Sequence, residues 1–190
     1  MAAMSWKEAL ANANVVANEY RTSVLNKLYY GYRLKDYSRR NKIFEICIAV
    51  GTGGATGVGG FALWKSTPAG TVAWAIISGA AVILSTVKPI LALSKEIERY
   101  SKLYGEYARL EEGYRALEDG LKTADRMMTE DVEVYKKLRA RSAELADLDD
   151  TNPDEAVVDR FRQEVARRIP ASSLWAPGSP SKEEHDAEPD

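Results

Sequence analysis

Two long stretches of the chain contain no charged residue, and they interrupt an otherwise strongly charged sequence. The first comprises the 19 residues between Glu45 and Lys65, and the second the 22 residues between Lys65 and Lys88. As helices rising about 1.5 Å per residue they would extend about 28 and 33 Å, close to the roughly 30 Å of a bilayer's hydrocarbon core. The pattern predicts a transmembrane hairpin over residues 43–88, with spans at about 46–64 and 67–87.

The turn and the composition of the spans refine this prediction. Thr67 followed by Pro68 is typical of a helix N-terminus, with Thr67 as the N-cap. Small residues recur in the first span at helical spacing, which favours close packing of membrane helices; they are Gly51, Gly53, Ala55, Gly57 and Gly59. Residues 57–62 also fit GxGxxA, but after Glu45 the next carboxylate is Glu96, so the acid that binds ribose in dinucleotide sites is absent. Packing is therefore favoured over nucleotide binding.

A row of hydroxyl residues lies along the second span. Thr71, Ser78 and Ser85 recur every seven residues and so share one face of a helix. These three are candidates for lining a water-filled pore, although hydroxyls also bond between helices or to their own backbone. We favour the packing role.

Basic residues flank the hairpin on both outer sides. Arg33, Lys35, Arg39, Arg40 and Lys42 precede it and Lys88 follows it, whereas the connecting turn carries Lys65 alone. By the positive-inside rule both termini are expected in the cytoplasm, with the hairpin in the plasma membrane. The basic residues are expected to set topology and contact lipid headgroups, and no nucleic-acid partner is expected.

Helices are predicted on both sides of the hairpin. A capping-box pattern at 5–8 starts an N-terminal helix over 5–42. Downstream, apolar residues recur every three or four positions from 103 to 145, where only Asp131 places a charge on the stripe, and this predicts one long coiled-coil-like helix over 89–149. The seam that should pair two helices comprises Leu103, Tyr107, Leu110, Tyr114, Leu117, Leu121, Met128, Tyr135 and Leu138. Its partner is either the N-terminal helix of the same chain or the seam of a second copy.

The C-terminal region changes in composition. Residues 153–169 have one apolar face and predict a short amphipathic helix after a proline-marked break. Residues 170–190 are rich in proline, serine and acidic residues and predict a disordered tail.

Overall composition mainly excludes catalytic chemistry. The 26 basic and 28 acidic residues give a net charge of -2. A net charge this small is ordinary for a soluble domain, so the distribution of charge along the chain is more informative than the sum. Cys47 and His185 are the only residues of their types, which excludes an internal disulfide and a Cys/His zinc site. No enzymatic activity, cofactor or metal site is expected.

The chain resembles the SLATT family of bacterial two-transmembrane effectors. The resemblance lies in Tyr29-Tyr30-Gly31-Tyr32-Arg33, in Arg39-Arg40-Asn41-Lys42, in the hairpin, and in residues 94–100 leading into Tyr104-Gly105-Glu106-Tyr107. It covers about residues 10–125. The resemblance implies an effector of an anti-phage or nucleotide-signalling defence system that oligomerises and breaches the inner membrane when a sensor activates it.

The sequence thus predicts an all-α membrane protein, with a two-helix transmembrane hairpin between an N-terminal helix and a long cytoplasmic helix. The expected function is an oligomeric inner-membrane effector that permeabilises or disrupts the bilayer. Its expected partners are the lipid bilayer, further copies of the chain, and a cytoplasmic sensor protein or signalling nucleotide. The alternatives are a membrane-anchored scaffold that recruits a soluble protein and a phage holin-like protein.

Overall fold

The computed structural model describes residues 6–56, 67–90 and 92–176, all of which are helices or their connections. The helices are α1 (Trp6–Thr56), α2 (Pro68–Ile90), α3 (Leu93–Ala124), α4 (Thr129–Ala146) and α5 (Glu155–Arg168), followed by a 3-10 turn at Ala171–Ser173. No strand occurs in these ranges, which confirms the all-α class. The chain divides into two compact units, one from Met1–Gly31 with Lys102–Asp190 and the other from Tyr32–Ser101.

In the first unit, the N-terminal part of α1 packs against α3 with the opposite chain direction. The Tyr30 ring stacks on the Tyr107 ring with centroids 5.6 Å apart, and Tyr20 accepts a hydrogen bond of 3.4 Å from Arg115. Six of the nine seam residues lie on α3, and all six are buried; they are Leu103, Tyr107, Leu110, Tyr114, Leu117 and Leu121. The chain itself covers this part of the seam, and pairing between copies stays a prediction.

The prediction of one continuous helix over 89–149 is wrong, because the chain reverses direction between α3 and α4. Asp125 has a left-handed backbone with φ of 50°, which ends α3 in the manner of an αL C-cap. The next helix begins where the Asp131 carboxylate accepts a hydrogen bond of 2.8 Å from the Met128 amide. Apolar periodicity continues through the turn because both helices face the same core. Asp131, the one charged residue on the apolar stripe, is thus the residue whose side chain accepts the hydrogen bond from the N-cap amide of α4.

The glycines of α3 lie in unlike surroundings, and this gives a testable difference. A methyl group at Gly105 or Gly120 would meet no atom within 4 Å among the described residues, whereas one at Gly113 would lie 2.6 Å from Leu138 Cδ2 on α4. We expect Gly105→Ala and Gly120→Ala each to raise the free energy of unfolding by about 0.5–1 kcal/mol, because alanine favours helix. At Gly113 the displacement of Leu138 should cancel or reverse that gain.

Urea unfolding followed by circular dichroism measures all three variants. Equal stabilisation by Gly113→Ala would contradict the close approach of α3 and α4 at this position.

The C-terminal segment is ordered further than the sequence predicts. The Asp154 side chain caps α5 by accepting a hydrogen bond from the Val157 amide. Beyond α5, the predicted disorder of 170–190 is wrong for residues 170–176, because the Trp175 side chain is buried and its indole N–H donates to Asp125 at 3.3 Å. Burial of an indole whose N–H is hydrogen-bonded stabilises the position of this segment. Residues 177–190 lie outside the described ranges.

The second unit contains the end of α1, all of α2 and the start of α3. Thr67 is the N-cap of α2 as predicted, since its hydroxyl accepts a hydrogen bond of 3.1 Å from the Gly70 amide. Where the charge pattern predicts two membrane spans, no helix in the described ranges is both long enough and apolar enough to cross a membrane. Residues 57–64 of the first predicted span lie outside those ranges.

Candidate functional site

Three arginines and two tyrosines of the second unit contact one another and form a cluster, here called the arginine–tyrosine stack. The Arg33 guanidinium lies over both rings, 5.3 Å from the Tyr37 centroid and 5.4 Å from the Tyr100 centroid. Arg40 lies 5.7 Å from the Tyr37 ring and Arg99 5.5 Å from the Tyr100 ring. The rings contact each other with centroids 5.2 Å apart. The Arg33 guanidinium and the two rings therefore form a triangle with sides of 5.2–5.4 Å, and Arg40 and Arg99 each lie against one of the rings.

This stack joins the two basic flanks of the predicted hairpin. Arg33, Tyr37 and Arg40 lie on α1 before the first uncharged stretch, and Arg99 and Tyr100 lie on α3 after the second. The Arg33 Nη2 group also donates a hydrogen bond of 3.2 Å to the Tyr100 hydroxyl. The segments that enter and leave the predicted hairpin thus meet each other, which is the arrangement that a hairpin requires.

Carboxylates pair with both outer arginines of the stack. Asp36 pairs with Arg40 at 2.8 Å and Glu96 with Arg99 at 3.6 Å. Both arginines stay accessible, with 59% of the Arg40 side chain and 41% of the Arg99 side chain exposed. The three guanidinium groups and two carboxylates leave a local charge of +1.

The other predicted lipid contacts surround the stack in sequence. Lys35, Arg39 and Lys42 are exposed on α1. Lys88 lies on α2, and its side chain is outside the described set.

The sequence analysis included the arginines of α1 among the expected lipid contacts, but it did not include Tyr37, Tyr100 or Arg99 in that set. Part of the cluster was detectable from the sequence. Arg33, Tyr37 and Arg40 are spaced by four and three residues, which places them on one face of a helix.

The exposed surface of α2 is strongly apolar. Val72, Ile76, Val82 and Ile83 are each 60–66% exposed. Adjacent positions such as 82 and 83 point in different directions on a helix, so the apolar surface is not confined to one narrow stripe. Large exposed apolar surfaces of this kind mark contacts with protein or membrane.

The candidate pore-lining hydroxyls bond within their own helix where their side chains are described. Thr71 donates to the Thr67 carbonyl at 3.3 Å, and Ser85 donates to the Val82 carbonyl at 2.8 Å. The side chain of Ser78 lies outside the described set. These bonds lie within one helix, so packing between helices and pore lining both stay predictions.

Of the small residues predicted to pack in the first span, Gly51, Gly53 and Ala55 lie in the last turns of α1. Gly57 and Gly59 lie outside the described ranges. Among the remaining seam residues, Tyr135 is buried, Leu138 is half-buried and Met128 is 40% exposed at the turn.

In the first unit, three tyrosines hold the loop between α4 and α5 and form a tyrosine–aspartate clamp. Tyr107 donates to both carboxylate oxygens of Asp149 at 2.8 Å, and Tyr30 donates to the same carboxylate at 2.9 Å. Tyr29 donates to the Asp150 carboxylate at 2.9 Å. The Tyr30 hydroxyl in turn accepts from the Asp150 amide at 3.0 Å. The clamp fixes this loop against α1 and α3.

Burial keeps the clamp phenols protonated. The pKa of Tyr30 and the pKa of Tyr107 are both raised above the ordinary value of 10.0, chiefly by desolvation and further by the negative charge of Asp149. Because ionisation is disfavoured in the folded state, both groups act as hydrogen-bond donors at neutral pH. The clamp phenols therefore hold the loop in place as hydrogen-bond donors.

Comparison with known proteins adds no relative: no family model, curated protein or solved structure matches this chain. Function must accordingly be argued from the arginine–tyrosine stack, the apolar surface of α2 and the charge pattern of the sequence.

Proposed function

We propose that this chain is an oligomeric membrane effector whose 43–88 segment enters the bilayer as a hairpin and permeabilises it. The observation that carries the proposal is the contact between Tyr37 and Tyr100, with ring centroids 5.2 Å apart. A chain that enters and leaves a membrane on the same side needs its two flanking segments to lie together, and both flanks here are basic.

The apolar surface of α2 supports the membrane part of the proposal. Ile76 and Ile83 keep 66% and 64% of their surface exposed in a region without any charge between Lys65 and Lys88. In water such exposure is unfavourable by about 25 cal/mol per Å² of apolar area, and contact with acyl chains removes that cost. Because no described helix meets the requirements for crossing, membrane integration is the first property to measure.

The permeabilising activity and the bacterial inner-membrane location rest on the resemblance to SLATT effectors. In this proposal the helices of the first unit lie in the cytoplasm and receive the activating signal from a sensor protein or a signalling nucleotide. The unit suits a receiving role because its helices are joined by specific polar contacts such as the tyrosine–aspartate clamp.

The test places a charge on the apolar surface of α2. Lysine in the middle of a membrane helix disfavours insertion by about 2.5–3.5 kcal/mol, so Ile76→Lys should shift the chain out of carbonate-washed membranes and abolish dye leakage from reconstituted liposomes. The matched control is Val134→Lys, which alters a similarly exposed apolar side chain, 45% exposed, on α4. It should leave both properties unchanged.

Wild-type chain found only in the soluble fraction would refute membrane insertion. Integrated chain that never releases dye, alone or with its genomic neighbours, would refute permeabilisation and leave the scaffold alternative. That alternative is less favoured because the apolar side chains of α5 that it would offer to a partner, Val157, Phe161 and Val165, are already buried within the chain.

A further inference from the structure

We propose that the arginine–tyrosine stack is a binding site for the phosphodiester headgroup of an anionic phospholipid. This inference rests on the proposed membrane location and goes beyond it, because it assigns lipid selectivity to a built cluster of side chains. A general attraction between basic residues and the membrane would need no such cluster.

The geometry of the stack suits a phosphate ligand. A tyrosine ring over a guanidinium occupies its face, and the N–H donors of a guanidinium point outward in its plane, where they match phosphate oxygens. Arg40 and Arg99 are the two outer arginines of the stack, with much of their side chains exposed. Ring contacts also restrict the arginine rotamers, so less conformational entropy is lost when an anion binds.

The local charge fits a ligand with a single negative charge. Three guanidinium groups stand against the carboxylates of Asp36 and Glu96 in the stack itself. Over the helical segments 32–45 and 92–101 as a whole, seven basic residues stand against four acidic residues. A phosphodiester such as phosphatidylglycerol carries one negative charge, whereas phosphatidylcholine adds a quaternary ammonium that this field repels.

By its position along the chain, Arg40 is the member of the stack on α1 that lies nearest the headgroup layer. Arg40 lies six residues before Ile46, the first residue of the uncharged stretch, and six residues of helix extend about 9 Å. The polar layer on each side of a bilayer is about 5–8 Å thick. An arginine side chain at that height reaches back toward the phosphates.

The experiment uses the full chain in a non-ionic detergent. Calorimetric titrations at constant ionic strength compare dioctanoyl phosphatidylglycerol, dioctanoyl phosphatidylcholine and inorganic phosphate. We expect saturable binding of phosphatidylglycerol at least about tenfold tighter than binding of phosphatidylcholine, a ratio set by the net charge of the headgroup in this field.

Two variants that preserve charge test the stack itself. Arg33→Lys keeps the positive charge but loses the planar guanidinium with its several N–H donors. Tyr37→Leu keeps every charge but removes the ring that contacts both Arg33 and Arg40. Each variant should weaken phosphatidylglycerol binding by about fivefold or more. Arg167→Lys makes the same chemical change at an exposed position on α5, outside the stack and outside the predicted lipid contacts, and should alter binding less than about twofold. Circular dichroism of each variant confirms that the helices remain.

The outcomes separate this inference from the proposed function. Chain that integrates into membranes while Arg33→Lys, Tyr37→Leu and Arg167→Lys all bind phosphatidylglycerol as wild type does would overturn the site and leave the membrane proposal intact. Inorganic phosphate that binds as tightly as phosphatidylglycerol would overturn the lipid assignment in favour of a free phosphate ligand. Chain that stays out of membranes but binds phosphatidylglycerol selectively in detergent would refute the proposed function and support the headgroup site.

Discussion

Asp149→Ala is expected to lower the free energy of unfolding by about 2–4 kcal/mol. The substitution removes the acceptor for the buried hydroxyls of Tyr30 and Tyr107, and a buried donor left without a partner costs about 1–3 kcal/mol. Asp149→Asn keeps one acceptor oxygen and should cost less. The control is Asp147→Ala, at an exposed residue two positions away, which should change stability by less than about 0.5 kcal/mol.

A double-mutant cycle isolates the hydrogen bonds of the clamp. Tyr107→Phe combined with Asp149→Ala should give a coupling energy above about 1 kcal/mol, because the two residues share the same bonds. Tyr114→Phe provides the contrast, since the buried Tyr114 hydroxyl has no hydrogen-bond partner among the described residues. Its loss should be neutral or slightly stabilising. Additive effects of Tyr107→Phe and Asp149→Ala in urea unfolding would contradict the clamp.

Phe161→Ala is expected to destabilise the folded position of α5 by about 3–5 kcal/mol, the usual cost of truncating a buried phenylalanine. Phe161 is 8% exposed, near the middle of the apolar face of α5. Because α5 follows the core helices in the chain, we expect the loss to release α5 and the Trp175 segment together while α1 and α3 stay folded. Hydrogen exchange should therefore increase over residues 155–176 much more than over 103–121.

Gln163→Ala is the control, because Gln163 is exposed on the same helix. It should leave both the exchange pattern and the unfolding midpoint nearly unchanged. Uniform acceleration of exchange throughout the first unit after Phe161→Ala would instead mean that α5 is an integral part of one cooperative core.

The sequence predicted which α3 residues of the first unit are buried, but it did not predict how the helices of that unit are connected. Every seam residue on α3 is buried, because a repeat of three and four residues marks one face of a helix regardless of which element covers it. The reversal between α3 and α4 was missed because the repeat continues on both sides of it. Asp131 is the single charge on the stripe, and it marks the start of a new helix. Its carboxylate accepts a hydrogen bond from the Met128 amide at the N-terminus of the helix that begins at Thr129.

The candidate sites depended more heavily on long-range contacts. The tyrosine–aspartate clamp joins Tyr30 to Asp149, which are 119 residues apart, and the arginine–tyrosine stack joins Arg33 to Tyr100, which are 67 residues apart. Neither pairing has a local signature beyond the helical spacing of Arg33, Tyr37 and Arg40. Trp175 was likewise assigned to a disordered tail because residues 170–190 as a whole are rich in proline, serine and acidic residues, although its side chain is buried.

By itself, the sequence determined the helical class, the apolar face of α3, the cap of α2 at Thr67 and the concentration of basic residues around two uncharged stretches. These properties are set by residues within a few turns of one another. Only the tertiary structure decided that α1 covers the seam, that the chain reverses after Ala124 and that the two basic flanks meet in one stack. Those outcomes depend on which distant surfaces bury one another, and a single chain's periodicity does not encode the identity of the partner.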